Sequence, residues 1–256
     1  MTTKLKYYLL IIIPIIIVYS LNLKHDLVYC DDHEIILNSP ERIDEFSDIK
    51  DEFFKGYIGT SYYRPIINIS FIIDRWISPT NNFIFQFSNI IYHILATLLF
   101  FNLLIRFKIK NEWAVTIACL FGILPINVNA VSWIVGRNDV LYTIFALSSL
   151  IFLMKSSKIK YFLLSSLFTL LAFLSKETAL VTPLINLYVL FFYLKYNKND
   201  KIKYIILLVI TYIIYFILKA NATLGIDINY FGLDIFFKNL PVLPEFIAKI
   251  FIPIDL

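Results

Sequence analysis

The chain has 256 residues, of which 59% are hydrophobic and 17% are aromatic. Only 16% are charged, whereas about 25% of the residues in a soluble globular protein carry a charge. This composition excludes an ordinary soluble domain and indicates an integral membrane protein. An outer-membrane barrel is excluded as well, because the apolar runs are continuous rather than alternating. The net charge of +4 comes from lysines between these runs, so no nucleic-acid partner is predicted.

Seven apolar segments approach or exceed the ~18 residues that cross the hydrocarbon core of a bilayer. They cover residues 5–23, 83–105, 113–130, 139–154, 160–174, 179–195 and 203–219. We therefore predict an all-α, polytopic membrane fold with about seven transmembrane helices. Pro125 should bend or end the third of them, because proline removes a backbone donor and crowds the preceding turn.

Two further segments are predicted to be interfacial helices, one in the first outer loop and one in the last. Residues 66–78 are too short to cross a bilayer, and residues 230–252 are interrupted by proline. Within the second span, Asn89 and His93 are four residues apart and share one helical face. We expect them to form hydrogen bonds to a neighbouring helix, with a substrate role as the alternative.

The basic residues predict how the spans are oriented. They cluster before the first span, after the second, between the fourth and fifth, and between the sixth and seventh. The clusters are Lys4 and Lys6; Arg106, Lys108 and Lys110; Lys155, Lys158 and Lys160; and Lys195, Lys198, Lys201 and Lys203. All fall on one side of the membrane, which the positive-inside rule identifies as the cytoplasm. The N-terminus is therefore predicted to be cytoplasmic, with residues 24–82 as the first extracytoplasmic loop.

Charged residues that this rule does not explain gather on the opposite, outer side. They are Asp31, Asp32, Arg64, Arg137, Asp139, Lys176 and Glu177. Because they lie in short and otherwise apolar connections, we predict a polar site at the outer membrane surface. The other acidic residues of the first loop, Asp44, Glu45, Asp48, Asp51 and Glu52, are expected to be solvated.

These residue types suit transfer of a group from a phosphate carrier. A second carboxylate raises the pKa of one member of an adjacent pair, so Asp31 or Asp32 is a candidate general base. Arg64, Arg137 and Lys176 are cations that can bind a phosphate.

The simpler alternative is that the charged residues form ion pairs at the membrane surface. Arg137 would then pair with Asp139, and Lys176 with Glu177. We keep Asp139 and Glu177 among the candidate substrate-binding residues. No metal site is predicted, although an adjacent acid pair leaves a divalent cation open.

Four stretches of this sequence resemble the transmembrane and tetratricopeptide repeat-containing O-mannosyltransferases, which belong to the GT-C superfamily. They read YCDDHEIILN at 29–38, YRPIIN at 63–68, LPINVNAVSWIVGRNDV at 124–140 and FLSKETAL at 173–180. The resemblance implies a GT-C-like fold in which Asp31 and Asp32 match the catalytic acidic motif. Leu124 and Asn129 stand where the family pattern has histidine and glutamate.

The resemblance also implies the reaction. The enzyme would transfer a sugar, mannose in the best-known members, from a polyprenyl or dolichyl phosphate carrier to a serine or threonine hydroxyl, with inversion. The acceptor would be a protein or a glycan, and the membrane would be the plasma membrane in a bacterium or the endoplasmic reticulum in a eukaryote. Residues 1–256 would form the N-terminal membrane module of a longer protein, truncated at its C-terminus.

Two other functions remain open from the sequence. A transporter or flippase of a lipid-linked substrate would also need a polar site, but transporters place ionisable residues near the bilayer midplane. Here the predicted span interiors hold almost no charge. A membrane scaffold without chemistry would leave the gathering of charged residues on the outer side unexplained.

Overall fold

The computed structural model describes residues 3–24, 32, 46–57, 62–78, 82–223, 237–242 and 244. Every regular element in these ranges is helical. The α-helices are α1 (Thr3–Tyr19), α2 (Pro65–Ile77), α3 (Phe83–Arg106), α4 (Asn111–Ile123), α5 (Val128–Ser132), α6 (Arg137–Leu153), α7 (Ile159–Phe173), α8 (Thr182–Tyr188) and α9 (Lys198–Ala222). Shorter 3-10 turns cover Ser20–Lys24, Phe46–Phe54, Pro125–Asn127, Ile134–Gly136 and Glu177–Val181, and a π turn covers Val189–Tyr193. The all-α prediction is confirmed for the described residues.

Seven membrane spans are predicted from the sequence, and fewer helices of the described chain are both long enough and apolar enough to cross a bilayer. Four helical segments of the described chain are long and apolar enough to cross a bilayer: Leu5–Lys24, Phe83–Arg106, Ile134–Leu153 and Lys198–Ala222. A fifth is the bent pair Asn111–Ile123 and Pro125–Ser132, whose axes differ by 50°. Ile159–Phe173 and Glu177–Tyr193 are apolar but shorter. The protein is therefore a polytopic membrane protein, with four to five candidate spans in the described residues by this measure.

The bend predicted at Pro125 is confirmed. Because α4 ends at Ile123 and a 3-10 turn begins at Pro125, the chain turns back over the end of the bundle before α6 begins. The predicted interfacial segment at 66–78 is also a helix, α2. Of the second predicted interfacial segment, 230–252, only 237–242 and 244 are among the described residues.

The basic connections meet at one end of the helix bundle, which we call the basic end. The Tyr193 hydroxyl donates to the carbonyl of Arg106 at 3.2 Å, and the Tyr196 hydroxyl donates to the carbonyl of Leu153 at 2.9 Å. These contacts join the C-termini of α3 and α6 to the connection that precedes α9. Burial raises the pKa of Tyr196, which keeps this hydroxyl a neutral donor.

A buried polar cluster ties α6, α7, α8 and α9 together. The Asn186 amide donates to Ser149 Oγ at 2.8 Å and to the Tyr204 hydroxyl at 3.0 Å. Ser165 Oγ lies 2.7 Å from the same hydroxyl. All four side chains are buried. Such interhelical hydrogen bonds hold transmembrane helices together where water cannot serve as a partner.

Candidate functional site

The end of the bundle opposite the basic end collects the described members of the charged set singled out in the sequence, and we call it the polar end. Three ion pairs lie there. They are Arg137–Asp74, Arg64–Glu177 and Lys176–Asp139. Each pair joins a residue of one loop or helix terminus to a residue distant in sequence. The connection between α1 and α3, the start of α6 and the connection after α7 are therefore held against one another.

Arg137 lies at the first position of α6 and is fully buried. Its Nη1 is 2.7 Å from a carboxylate oxygen of Asp74, and the two side chains are 0% and 1% exposed. The guanidinium also donates to the carbonyl of Phe85 at 3.0 Å and to Ser70 Oγ at 3.2 Å. The ring of Phe71 lies 4.3 Å below the guanidinium carbon. Every nitrogen of the guanidinium has a protein partner, because Nε donates to a side chain of α3 at 2.9 Å.

That side chain is Asn89, which the sequence predicted to form hydrogen bonds to another segment. The prediction is confirmed, because the Asn89 amide also donates to backbone carbonyls in the turn between α5 and α6. His93 does the same with α4: its Nε2 donates to the carbonyl of Gly122 at 2.8 Å. Both polar atoms of the Asn89 amide and Nε2 of His93 therefore have protein partners.

Of the predicted acid pair, Asp32 is described and Asp31 lies outside the described residues. Asp32 is fully buried. Its Oδ1 accepts a long hydrogen bond, 3.4 Å, from the backbone amide of Val135, which lies in the turn that leads into α6. The structure thus brings Asp32 next to the segment that ends with Arg137, although the two are separated by more than 100 residues.

Arg64 and Glu177 form a partly exposed ion pair. Arg64 donates from Nε at 2.9 Å and from Nη2 at 2.7 Å to the same carboxylate oxygen. The other oxygen of Glu177 accepts from the backbone amide of Tyr63 at 3.0 Å. Burial raises the pKa of Tyr63 to about 12, so its hydroxyl remains neutral. The side chains of Arg64 and Glu177 are 14% and 20% exposed, so water reaches this pair but not Arg137.

Lys176 and Asp139 form the most exposed of the three pairs. Their charged atoms are 2.5 Å apart, and their side chains are 21% and 43% exposed. Asp139 also lines a cleft of about 140 Å³ between α3, α5 and α6, together with His93, Asn127 and Thr143. Lys176 itself does not line this cleft, which reaches the ion pair through Asp139.

The pairing differs from the alternative that the sequence suggested. Arg137 does not pair with Asp139, and Lys176 does not pair with Glu177. Asp74, the partner of Arg137, was not among the predicted site residues. Its position was nevertheless a signal, because it falls on the apolar face of α2 with Ile67 and Phe71, where an isolated carboxylate needs a buried partner.

Glu52 corrects a second expectation. It was predicted to be solvated, but it is 1% exposed and accepts a hydrogen bond from the Asn68 amide of α2. The acidic first loop thus contributes to packing around α2. Among the described residues, no three His, Cys, Asp or Glu side chains are placed to hold a metal ion.

Comparison with known proteins finds relatives of one kind. A protein O-mannosyl-transferase of Caenorhabditis elegans is 32% identical over 188 residues, which cover 68% of this chain and 26% of the relative. The protein O-mannosyl-transferase TMTC1 of Homo sapiens is 39% identical over 80 residues, or 31% of this chain and 9% of the relative. The protein O-mannosyl-transferase tmtc2 of Xenopus laevis is 32% identical over 122 residues, or 44% and 15%.

The chain therefore spans about a quarter of the length of the nematode relative and less of the two vertebrate ones. No family model matches it, and no solved structure matches it. The chain is a distant homologue of protein O-mannosyl-transferases over part of its length. The resemblance identified from the sequence is confirmed to that extent.

Proposed function

We propose that this chain is the membrane part of a GT-C-type glycosyltransferase. It transfers a sugar, mannose by homology, from a polyprenyl or dolichyl phosphate carrier to a hydroxyl of a protein serine or threonine, or of a glycan. The observation that carries the proposal is the homology to protein O-mannosyl-transferases. The gathering of carboxylates and cationic side chains at the polar end supports it. The reaction needs a carboxylate as general base and cations that bind the phosphate.

In the proposed reaction, the acceptor oxygen attacks the anomeric carbon and forms the new glycosidic bond. The bond between that carbon and the phosphate oxygen breaks, and its electron pair leaves with the lipid phosphate. The hydroxyl proton passes to the carboxylate of Asp32, or to that of Asp31, as general base. Attack on the face opposite the phosphate inverts the anomeric configuration.

Lys176 and Arg64 are proposed to bind the departing phosphate. Both are partly exposed, and both are held by carboxylates in ion pairs that water reaches. Exposed ion pairs contribute only about 0–1 kcal/mol, so a phosphate with more charge can displace Asp139 from Lys176, the more exposed of the two pairs. Arg137 is assigned a different role, because its guanidinium is fully buried and already bound on every nitrogen.

The two ends of the bundle support a membrane topology. Each of the seven predicted segments, including the two shorter ones, connects the basic end to the polar end or returns from it. A 15-residue helix such as α7 is about 22 Å long, and local thinning of the bilayer accommodates such a length. We propose seven crossings, with the basic end and the N-terminus in the cytoplasm and the polar end outside.

The test is sugar transfer from a polyprenyl phosphate donor by the purified chain carrying Asp32→Asn or Asp31→Asn. Loss of a general base lowers the rate by about 10²- to 10⁴-fold. Asp51→Asn is the matched control, because Asp51 belongs to the same loop and is exposed. Wild-type rates in both Asp31→Asn and Asp32→Asn proteins would remove the acid pair from the mechanism. Flux of a lipid-linked sugar across proteoliposomes, without any transfer, would favour a transporter instead.

A further inference from the structure

Asn89 of α3 ties that helix to the turn between α5 and α6, residues 133–136. The Asn89 amide nitrogen donates to the carbonyls of Val131, Trp133 and Ile134 at 3.1, 3.2 and 3.3 Å. An amide nitrogen has two hydrogens, so three carbonyls share them. A single buried group therefore bonds to three backbone carbonyls. Two of them also accept within the 3-10 turn, that of Trp133 from the Gly136 amide at 3.0 Å and that of Ile134 from the Arg137 amide.

Arg137 fixes which way the Asn89 amide points. The Asn89 oxygen accepts from Arg137 Nε at 2.9 Å, so the amide nitrogen must face the turn. Arg137 is immobilised in turn by Asp74 and by the carbonyl of Phe85. The orientation of Asn89 is thus determined by a buried cation that belongs to the next helix.

The turn has little freedom to shift. One helical turn before Asn89, the Gln86 amide donates to the carbonyl of Ser132 at 3.0 Å. A Cβ atom on Gly136 would lie 2.3 Å from the backbone oxygen of Asn129, so the backbone of this turn packs directly on α5. The product of these contacts is a fixed position for the Val135 amide, which donates to Asp32.

We infer that Asn89 and Arg137 are positioning residues for Asp32. They hold the Val135 amide where it orients the carboxylate, and they touch neither sugar nor phosphate. This inference rests on the proposed function, because it needs Asp32 to take part in transfer. It differs from the role that the sequence suggested for Arg137, which was contact with the lipid phosphate.

The test compares Asn89→Ala with Asn186→Ala. Asn186 is an equally buried amide that donates to several partners in the bundle, but it lies away from the polar end. We expect Asn89→Ala to lower kcat by about 10- to 100-fold, since a misplacement of 1 Å costs up to ~10²-fold. The KM for the lipid donor should stay within about twofold in both proteins, and kcat per folded molecule should be unchanged in Asn186→Ala.

Two conservative variants keep the inference testable if Asn89→Ala does not fold. Asn89→Asp keeps the volume and the oxygen that accepts from Arg137, but it removes the donors to the turn. Arg137→Lys keeps a cation for Asp74 but loses the planar set of donors. Both should lower kcat as Asn89→Ala does. Wild-type kcat in Asn89→Asp and in Arg137→Lys would overturn the inference.

Hydrogen exchange of the peptide that contains Val135 separates this inference from the proposed function. Faster exchange there in Asn89→Asp, together with a reduced kcat, is the expected result. Faster exchange with an unchanged kcat would overturn the positioning role and leave the proposed function standing. Wild-type transfer by the Asp31→Asn and Asp32→Asn proteins would exclude the acid pair as the general base of the proposed function. Faster exchange at Val135 in Asn89→Asp would still be observed in that case.

Discussion

Breaking the buried ion pair between Arg137 and Asp74 should cost more stability than any other single change to a charge in the described chain. The two side chains are 0% and 1% exposed, so neither charge can recover hydration when its partner is removed. Loss of one partner of such a pair costs about 3–5 kcal/mol. Arg137→Met is therefore expected to lower the unfolding free energy by that amount.

A double-mutant cycle separates the interaction between Arg137 and Asp74 from the other contacts of these two side chains. Asp74→Asn leaves the Arg137 charge buried without its counter-ion, and it should be destabilising for the same reason as Arg137→Met. The double variant removes both charges, so it should cost no more than the worse single variant. The coupling energy is then at least as large as the smaller single cost, about 3 kcal/mol, which is the upper end of the range found for directly contacting groups.

The assay is an unfolding titration of the detergent-solubilised protein with sodium dodecyl sulfate, followed by tryptophan fluorescence. Lys203→Met is the matched control, because Lys203 forms an ion pair with Asp200 at the basic end but is 58% exposed. It should change the unfolding free energy by less than ~1 kcal/mol. Strictly additive single variants, or a cost below ~1 kcal/mol for Arg137→Met, would refute the reasoning.

Two further predictions concern the backbone and the topology. Gly136→Ala should destabilise the fold by about 3 kcal/mol, because the new methyl group meets a backbone oxygen at 2.3 Å. Gly122→Ala meets side-chain carbons of Ile15 at 2.8 and 2.9 Å; side-chain atoms shift more readily than backbone, so it should cost about 1 kcal/mol. Both are measured in the same titration. A cysteine at exposed Thr178 should react with a membrane-impermeant maleimide on intact cells, whereas one at exposed Lys158 should react only after permeabilisation. Equal labelling of the two would exclude a crossing by α7.

The sequence predicts the helices well because apolar runs reflect the need to bury a backbone in hydrocarbon. The second span was predicted at 83–105, and the helix is Phe83–Arg106. The last was predicted at 203–219 and is Lys198–Ala222. It begins earlier because Asn197 caps it, accepting from the Asp200 amide at 2.8 Å, and hydropathy does not register a polar first turn.

The ion pairs could not be predicted in the same way. Neighbouring charges suggested pairs of Arg137 with Asp139 and of Lys176 with Glu177. Residues one or two apart point to different sides of a helix or turn, so each of these charges reaches a partner elsewhere in the chain. Which partner it meets depends on how three separate segments close over the end of the bundle, and no local pattern contains that information.

The three ion pairs of the polar end differ in exposure. The buried pair suits a structural role, and the two partly exposed pairs suit binding of a ligand. A buried pair is rarely a source of net stability, since well-packed apolar side chains often do as well. Arg137 and Asp74 therefore make sense through what they orient, which is the turn that carries the Val135 amide to Asp32. The pairs made by Arg64 and Lys176 remain within reach of water. The proposed function uses this difference, with Arg137 as the arginine that does not move and with Arg64 and Lys176 as the cations that exchange a carboxylate for the phosphate.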